Sequence, residues 1–304
     1  MGKPAPGSFS EGSRDRSDDT MTQGDDWRRS ATAEQMRSVV RTIDPSVAHI
    51  ARIQDYWLGG KDHFEADRVA GDEAIAQLPD MVASVRNTRA FLGRTVRFLA
   101  REQGIRQFLD VGTGIPTASN THEVAQRFAP SSRIVYVDND PMVLAHARAL
   151  LTSTPEGKCS YIDADIREPE KVLRAAAEVL DFTKPVGVVL MAVLQFVPDD
   201  DDPYGLVRRL MAAVPGGSYL VISHPAADIQ AAAMAGMATR LNQLMAQRVK
   251  PRGKAEVTAF FDGLDLVEPG VIRCPEWRPE RPQDAAGKST MWGGVAEKPA
   301  GPLG

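Results

Sequence analysis

The chain has 304 residues, 43% of them hydrophobic, enough for one large domain or one domain with a substantial extension. A net charge of −4 and an isoelectric point near 5.8 give it no general attraction to nucleic acid or to an anionic membrane. Its two cysteines, Cys159 and Cys274, lie far apart and outside any Cys-x-x-Cys pattern, which argues against a disulfide framework or a structural zinc site.

Residues 1–35 mix Ser, Gly, Arg and Asp without periodicity and read as a disordered tail lacking the apolar core of a signal peptide. From Asp44 to about Gln103 the pattern is helical, so residues 36–103 are expected to form an N-terminal helical cap or lid. Asp62 with Glu65 makes a capping-box-like helix start, and Asp80 marks a second. Beyond Asp80, Met81, Val85, Leu92, Val96 and Leu99 recur at steps of three, four or seven and mark one buried helix face.

After Gly104 the rhythm changes. Strands are expected at Gln107–Val111, Ile134–Val137, Ser160–Ile162, Val186–Met191 and Ser218–Ser223, separated by helix-length stretches such as Asp140–Leu151. That alternation predicts βαβ units on a parallel sheet, an α/β Rossmann-like domain over residues 104–298. Helices are expected over Ala226–Val249 and Lys254–Asp262, and Leu264–Val267 with Met291–Glu297 suits an edge hairpin before a flexible C-terminus at 299–304. The longest apolar run, Val186–Val197, is too short for a bilayer and is interrupted by Gln195. The expected compartment is the cytoplasm, with neither a membrane nor a nucleic acid as partner. Oligomeric state leaves no signature in the residues.

The most informative stretch is Phe108-Leu-Asp-Val-Gly-Thr-Gly-Ile-Pro-Thr117, where a hydrophobic strand enters a Gly-x-Gly turn ahead of a helix. Glycines there let the backbone approach a ligand closely, and a helix N-terminus supplies unpaired N–H groups. A dinucleotide fingerprint needs a third glycine where Thr117 stands, behind Pro116. Asp110 is poorly suited to a pyrophosphate and well suited to the ammonium or sulfonium of S-adenosylmethionine. Asp138, at the end of the second strand, is placed to hold ribose hydroxyls, and Asp165, after the third, to accept from an adenine amino group. Three carboxylates at three successive strand ends make a ligand-sized constellation. The expected cofactor contacts are therefore Asp110, Gly112, Thr113, Gly114, Asp138, Asn139, Asp165 and Ile166.

Upstream, Asp55, Tyr56, Gly59, Gly60 and Lys61 crowd polar, aromatic and permissive residues into one short turn. The composition suits a lid closing over the cofactor, with Tyr56 and Gly60 touching it; a plain helix stop at Gly59–Gly60 accounts for it equally well. These signatures resemble class I S-adenosylmethionine-dependent methyltransferases over Gln103–Lys298. The whole span Ile43–Lys298 looks like a bacterial S-adenosyl methyltransferase family long catalogued as a domain of unknown function. The resemblance rests on Arg52-Ile-Gln-Asp-Tyr-Trp-Leu-Gly-Gly-Lys-Asp-His-Phe64, Phe108–Gly114, Val135-Tyr-Val-Asp-Asn-Asp-Pro141 and Phe196-Val-Pro-Asp199. It implies a sheet of about seven strands with an antiparallel edge strand and the cofactor at the strand C-termini. Gln195 stands where a histidine is frequent after the fourth strand of such enzymes.

Candidates for the chemical step are few. His224, after the fifth strand, is placed as a general base or is simply a loop histidine. The run Asp199–Asp202 reads as a solvated helix cap before Pro203 rather than a metal site, and no metal is expected. Arg248, Lys250, Arg252 and Lys254 read as a solvated linker, with an anionic-substrate patch as the alternative. The expected activity is transfer of a methyl group from S-adenosylmethionine, leaving S-adenosylhomocysteine, to the oxygen or nitrogen of a small molecule. A sensor that binds the same cofactor without turnover is the rival, and a nicotinamide-dependent dehydrogenase is disfavoured by Thr117 and Asp110.

Overall fold

The computed structural model describes Gly2, residues 43–117, 119–150 and 152–300, with the side chains of 148–150 excepted. Apart from Gly2, the tail expected at 1–35 lies outside the described residues, as do the first residues of the cap and positions 301–304. Five parallel strands form the body of the sheet: β1 Gln107–Val111, β2 Arg133–Asp138, β3 Lys158–Asp163, β4 Gly187–Met191 and β5 Tyr219–Pro225. Three more complete it: β6 Asp265–Leu266, β7 Ile272–Arg273 and β8 Met291–Glu297, in the order β3-β2-β1-β4-β5-β8-β6. The antiparallel strand β8 is not the edge. It lies between β5 and two short pieces, β6 pairing its C-terminal end and β7 its N-terminal end. The expected edge hairpin forms through β6, and β7 is an addition that two residues were too few to signal.

The period-two pattern divides the strands between two cores. Leu109, Val135, Val188, Leu190, Leu220 and Ile222 face one core, packed with helices α6 Pro169–Ala176 and α7 Pro203–Ala212. Phe108, Ile134, Tyr136, Val189 and Val221 face the other, packed with α3 Met81–Arg101 and α4 Thr121–Phe128. A side chain such as Leu99, with none of its surface exposed, contributes about 1.5–3 kcal/mol by its burial. Of the expected apolar face of α3, Met81, Leu92, Val96 and Leu99 are buried and Val85 is half-buried.

A third cluster forms the cap. It joins Ile53 and Trp57 of α1 (Ile50–Leu58), Ala70 and Ala74 of α2 (Glu65–Gln77), and Met234, Met237 and Leu241 of α8 (Ala231–Leu244). Helix α3 begins in this cluster at Met81 and ends against the sheet at Leu99, so one rigid rod carries the cap. Asp62 does not start α2 as its spacing suggested. Its N–H donates to Asp55 Oδ2 at 2.8 Å, while Asp67 accepts the N–H of Phe64 at the true N-cap.

The fully buried Asp67 also accepts the His49 N–H at 2.9 Å and faces Arg52 Nε at 3.4 Å. One carboxylate thus ties the starts of both helices. Gly59, at φ 83°, ends α1 with its N–H on Tyr56 O, and a Cβ at Gly60 would collide with the Asp55 carboxylate. Trp57 Nε1 donates to Gly71 O and Tyr56 Oη to Asp72 Oδ1. The signature from Arg52 to Phe64 is, physically, the corner that fastens α1 to α2. None of the helices among the described residues is long and apolar enough to cross a membrane.

Candidate functional site

The chain reverses its direction of sheet growth between β1 and β4, and the C-terminal ends of β1–β4 open onto a cleft of about 360 Å³. Gly112 leaves β1 at φ 74°, and a Cβ there would collide with Val193 Cγ2 in the loop after β4, so only glycine permits the close approach. The turn does not offer its donors to a ligand, contrary to the sequence expectation. Gly112 and Thr113 N–H donate to Val137 O at 2.8 and 3.3 Å, and Gly114 N–H donates to Asp138 Oδ2 at 2.9 Å. Nor does helix α4 present its N-terminus: His122 N–H donates to the buried Tyr136 hydroxyl at 2.8 Å. What the glycines supply is room.

Six of the ten expected cofactor contacts line this cleft together: Gly112, Gly114, Asp138, Asn139, Asp165 and Ile166. Asp138 uses its two oxygens to hold Gly114 N–H and Asp140 N–H (3.0 Å), and burial raises its carboxyl above the usual range. Those bonds occupy two of about four acceptor sites on the carboxylate, leaving capacity for hydroxyls. Asp165 is held below the usual range by its bidentate pair with Arg167, at 3.0 and 2.6 Å, and Asn139 Nδ2 donates to it at 3.2 Å.

Asp110 and Thr113 line a second cavity instead, which meets the first at Gly112, Ala192 and Phe196. This chamber is lined mainly by apolar side chains of α1, α3 and α8, among them Trp57, Leu92, Met234 and Met237, with Met191 at the end of β4. Asp110 is 4% exposed; burial pushes its carboxyl up to about 6, against the pull of the Thr121 hydroxyl at 2.6 Å and the Arg89 charge. The folded state therefore binds a proton between pH 3.8 and about 6 that the unfolded chain does not. The stability this confers is full below pH 3.8 and is lost as pH rises through 6. Asp110→Asn, whose amide oxygen can still accept from Thr121, is expected to be about 1–3 kcal/mol more stable than the native chain at pH 7. Unfolding curves across pH 4–7 check this: the advantage should vanish near pH 4, and a constant difference would contradict it.

Tyr56 and Gly60 line neither cavity, because the α1–α2 corner holds them as described above. Other residues of the same segment take their place: His49 and Ala51 in the cleft, Ile50, Gln54 and Trp57 in the chamber. His49 Nδ1 lies 2.8 Å from Asp140 Oδ2, a contact that no sequence spacing announces. The helix face of α1 could have flagged Ile50, Gln54 and Trp57, which stand four and three residues apart.

His224 is fully buried and lines neither cavity. Its Nδ1 faces Pro225 O at 3.0 Å and its Nε2 faces Arg252 Nη1 at 3.1 Å; burial pushes its pKa down to about 3. A neutral ring donating from Nδ1 and accepting at Nε2 satisfies both partners, so this histidine holds the neighbouring loop and is no base for a bound ligand. The basic linker is corrected in the same place. Arg252 has no exposed surface and donates to Leu194 O, Val197 O and Asp199 Oδ1 at 3.0, 2.9 and 2.8 Å. Lys250 pairs with Asp199, Asp202 caps α7 through Gly205 N–H at 2.8 Å, and Asp201 lies 3.7 Å from Arg167 Nη1, so three of the four acids in the run have structural partners. No group of three or more potential metal ligands occurs among the described residues.

Sheet order, the glycine turn at the switch point and acidic strand ends together define a class I, Rossmann-like S-adenosylmethionine-dependent methyltransferase. A family model described as S-adenosyl methyltransferase matches residues 36–299, and the chain belongs to that family. Among solved structures, it is similar to a DUF574 family protein from Streptomyces avermitilis, with 44% identity over 84% of this chain and 99% of that one and a TM-score of 0.81. A proposed methyltransferase from Thermobifida fusca is 39% identical over 84% of this chain and 96% of that one, with a TM-score of 0.78. No curated protein sequence matches it. The chain uses S-adenosylmethionine as its methyl donor.

Proposed function

We propose that the methyl group passes to a small molecule with a largely apolar body, at an oxygen or nitrogen atom, in the chamber beneath the helical cap. The observation that carries this reading is the junction of the two cavities at Gly112, Ala192 and Phe196. A cofactor with its ribose on Asp138 and its adenine beside Asp165 and Ile166 would have its methionine end at Gly112–Gly114. The cleft falls within the usual range for ligand sites, and glycines at 112 and 114 leave space that side chains would fill. When bound, S-adenosylmethionine supplies a methyl on cationic sulfur, which passes to an acceptor lone pair while the carbon–sulfur electrons return to sulfur and the acceptor's proton leaves to water.

The chain's own share is positioning. A methyl on cationic sulfur needs an aligned nucleophile and little proton transfer, and among the described residues that line the chamber there is no histidine. The chamber's own volume is only about 80 Å³, so an acceptor must displace part of its wall to enter. Helices α1, α3 and α8 line the chamber, and a cap that moved as a lid would carry Gln54 and Trp57, rather than Tyr56, at its inner face. The free thiols Cys159 and Cys274 suit a cytoplasmic setting.

Incubating the protein with isotopically methyl-labelled cofactor and a cell metabolite extract tests this reading. Label in a small, solvent-extractable product with stoichiometric S-adenosylhomocysteine is the expected result. Label found only in macromolecules would overturn it.

A further inference from the structure

The turn after β4, residues 192–197, forms the partition between cofactor cleft and chamber, and its fastening is unusually complete. Arg252 Nη1 and Nη2 hold Leu194 O and Val197 O, Lys250 N–H donates to Gln195 O at 2.9 Å, and Ala192 N–H donates to Ser223 O at 3.0 Å. Gln195 sits in the middle of this turn, lines the chamber and is 4% exposed. Its Nε2 donates to Ala192 O at 2.6 Å. A carbonyl only accepts, so this bond fixes the amide orientation and leaves Oε1 as a bare acceptor. That oxygen is buried and has no hydrogen-bond partner among the described residues.

An unpaired buried acceptor costs about 1–3 kcal/mol, and native proteins seldom keep one without a use. Two hydroxyls on the chamber wall are already engaged: Thr88 Oγ1 donates to Ser84 O, and Thr290 Oγ1 lies 3.2 Å from Ser84 Oγ. Asp110 accepts from Thr121.

We propose that Gln195 Oε1 selects the acceptor by receiving a hydrogen bond from its O–H or N–H, so that the enzyme takes phenol-like or aniline-like donors and rejects isosteres lacking that hydrogen. This rests on the chamber being the acceptor site. Bound this way, the donor-bearing heteroatom stands at the partition, one side chain from the Gly112–Ala192 junction, where a lone pair can face the methyl group. Hydrogen-bond readout of this type discriminates more sharply than apolar fit, because a ligand without the donor leaves the buried oxygen unpaired.

The test uses phenol, aniline and toluene, three rings of nearly equal size, titrated by ligand-observed NMR onto the full-length protein saturated with S-adenosylhomocysteine. Phenol and aniline are expected to bind at least about threefold to tenfold more tightly than toluene, the value of one neutral hydrogen bond. Gln195→Met should bring the three affinities together while S-adenosylhomocysteine affinity stays within about twofold, a change that a merely structural role for Gln195 would not produce. Equal binding of phenol and toluene by the native protein, a measurement that needs no variant, overturns the selection by Gln195 and leaves the chamber as acceptor site intact. Binding of none of the three overturns the chamber reading and this inference with it.

Discussion

Replacing Arg252 with alanine is expected to destabilise the fold by about 3–5 kcal/mol, among the largest effects available to a single substitution away from the cofactor. The guanidinium is fully buried and answers four acceptors: two carbonyls of the turn after β4, the Asp199 carboxylate and His224 Nε2. It also lies 5.5 Å from the centroid of the Phe260 ring and 6.0 Å from that of Tyr204. Truncation leaves Val197 O and the imidazole without a donor, leaves Leu194 O with only the Val197 N–H at 3.2 Å, and opens a cavity between β5 and the turn. Half of the Asp199 side chain is exposed, so that pair adds little; the interior partners carry the effect. Arg252→Lys should recover little, since a single ammonium cannot reach carbonyls on both sides of the turn. Urea unfolding checks the expectation, and a loss under about 1 kcal/mol would show that the partition stands without its clamp.

Asp138→Ala is expected to weaken S-adenosylhomocysteine binding by about 10- to 150-fold, the value of hydrogen bonds to a charged group. Unlike a purely ligand-facing carboxylate, Asp138 also shapes the protein. Its oxygens hold Gly114 N–H and Asp140 N–H, which the substitution leaves unpaired, and the free protein should lose about 1–3 kcal/mol of stability as well. Asp138→Asn separates the two functions, since one amide oxygen can still hold Gly114 N–H while the charge facing the cleft is gone. Calorimetry with S-adenosylhomocysteine and unfolding of the free protein read the two losses independently. Unchanged affinity in a stable Asp138→Ala variant would place the ribose elsewhere.

The sheet was legible because burial on both faces writes itself as unbroken hydrophobicity. Strands β1 and β8 begin and end at the residues their patterns marked, and the Asp138 and Asp165 strand ends meet in one cleft. Features made by tertiary contact were not legible. The spacing of Arg248, Lys250, Arg252 and Lys254 signals charge, and nothing in it says that Arg252 turns inward between β5 and the turn after β4. The signature at Arg52–Phe64 was visible as a motif, but its role as a helix corner depends on Asp67 and Gly71, contributed by the next helix. The glycine turn announced close approach correctly; that its N–H groups are spent on Val137 and Asp138 follows from the register of β1 against β2.

The central claim is that the cofactor's methyl end meets the apolar chamber at Gly112, Ala192 and Phe196. Crystals grown with S-adenosylhomocysteine test it most directly. The ribose should rest on Asp138, the adenine against Asp165 and Ile166, and the sulfur at that junction, with the chamber continuing beyond it under α1 and α8. A ligand whose sulfur faces bulk solvent, or whose ribose avoids Asp138, would contradict the account.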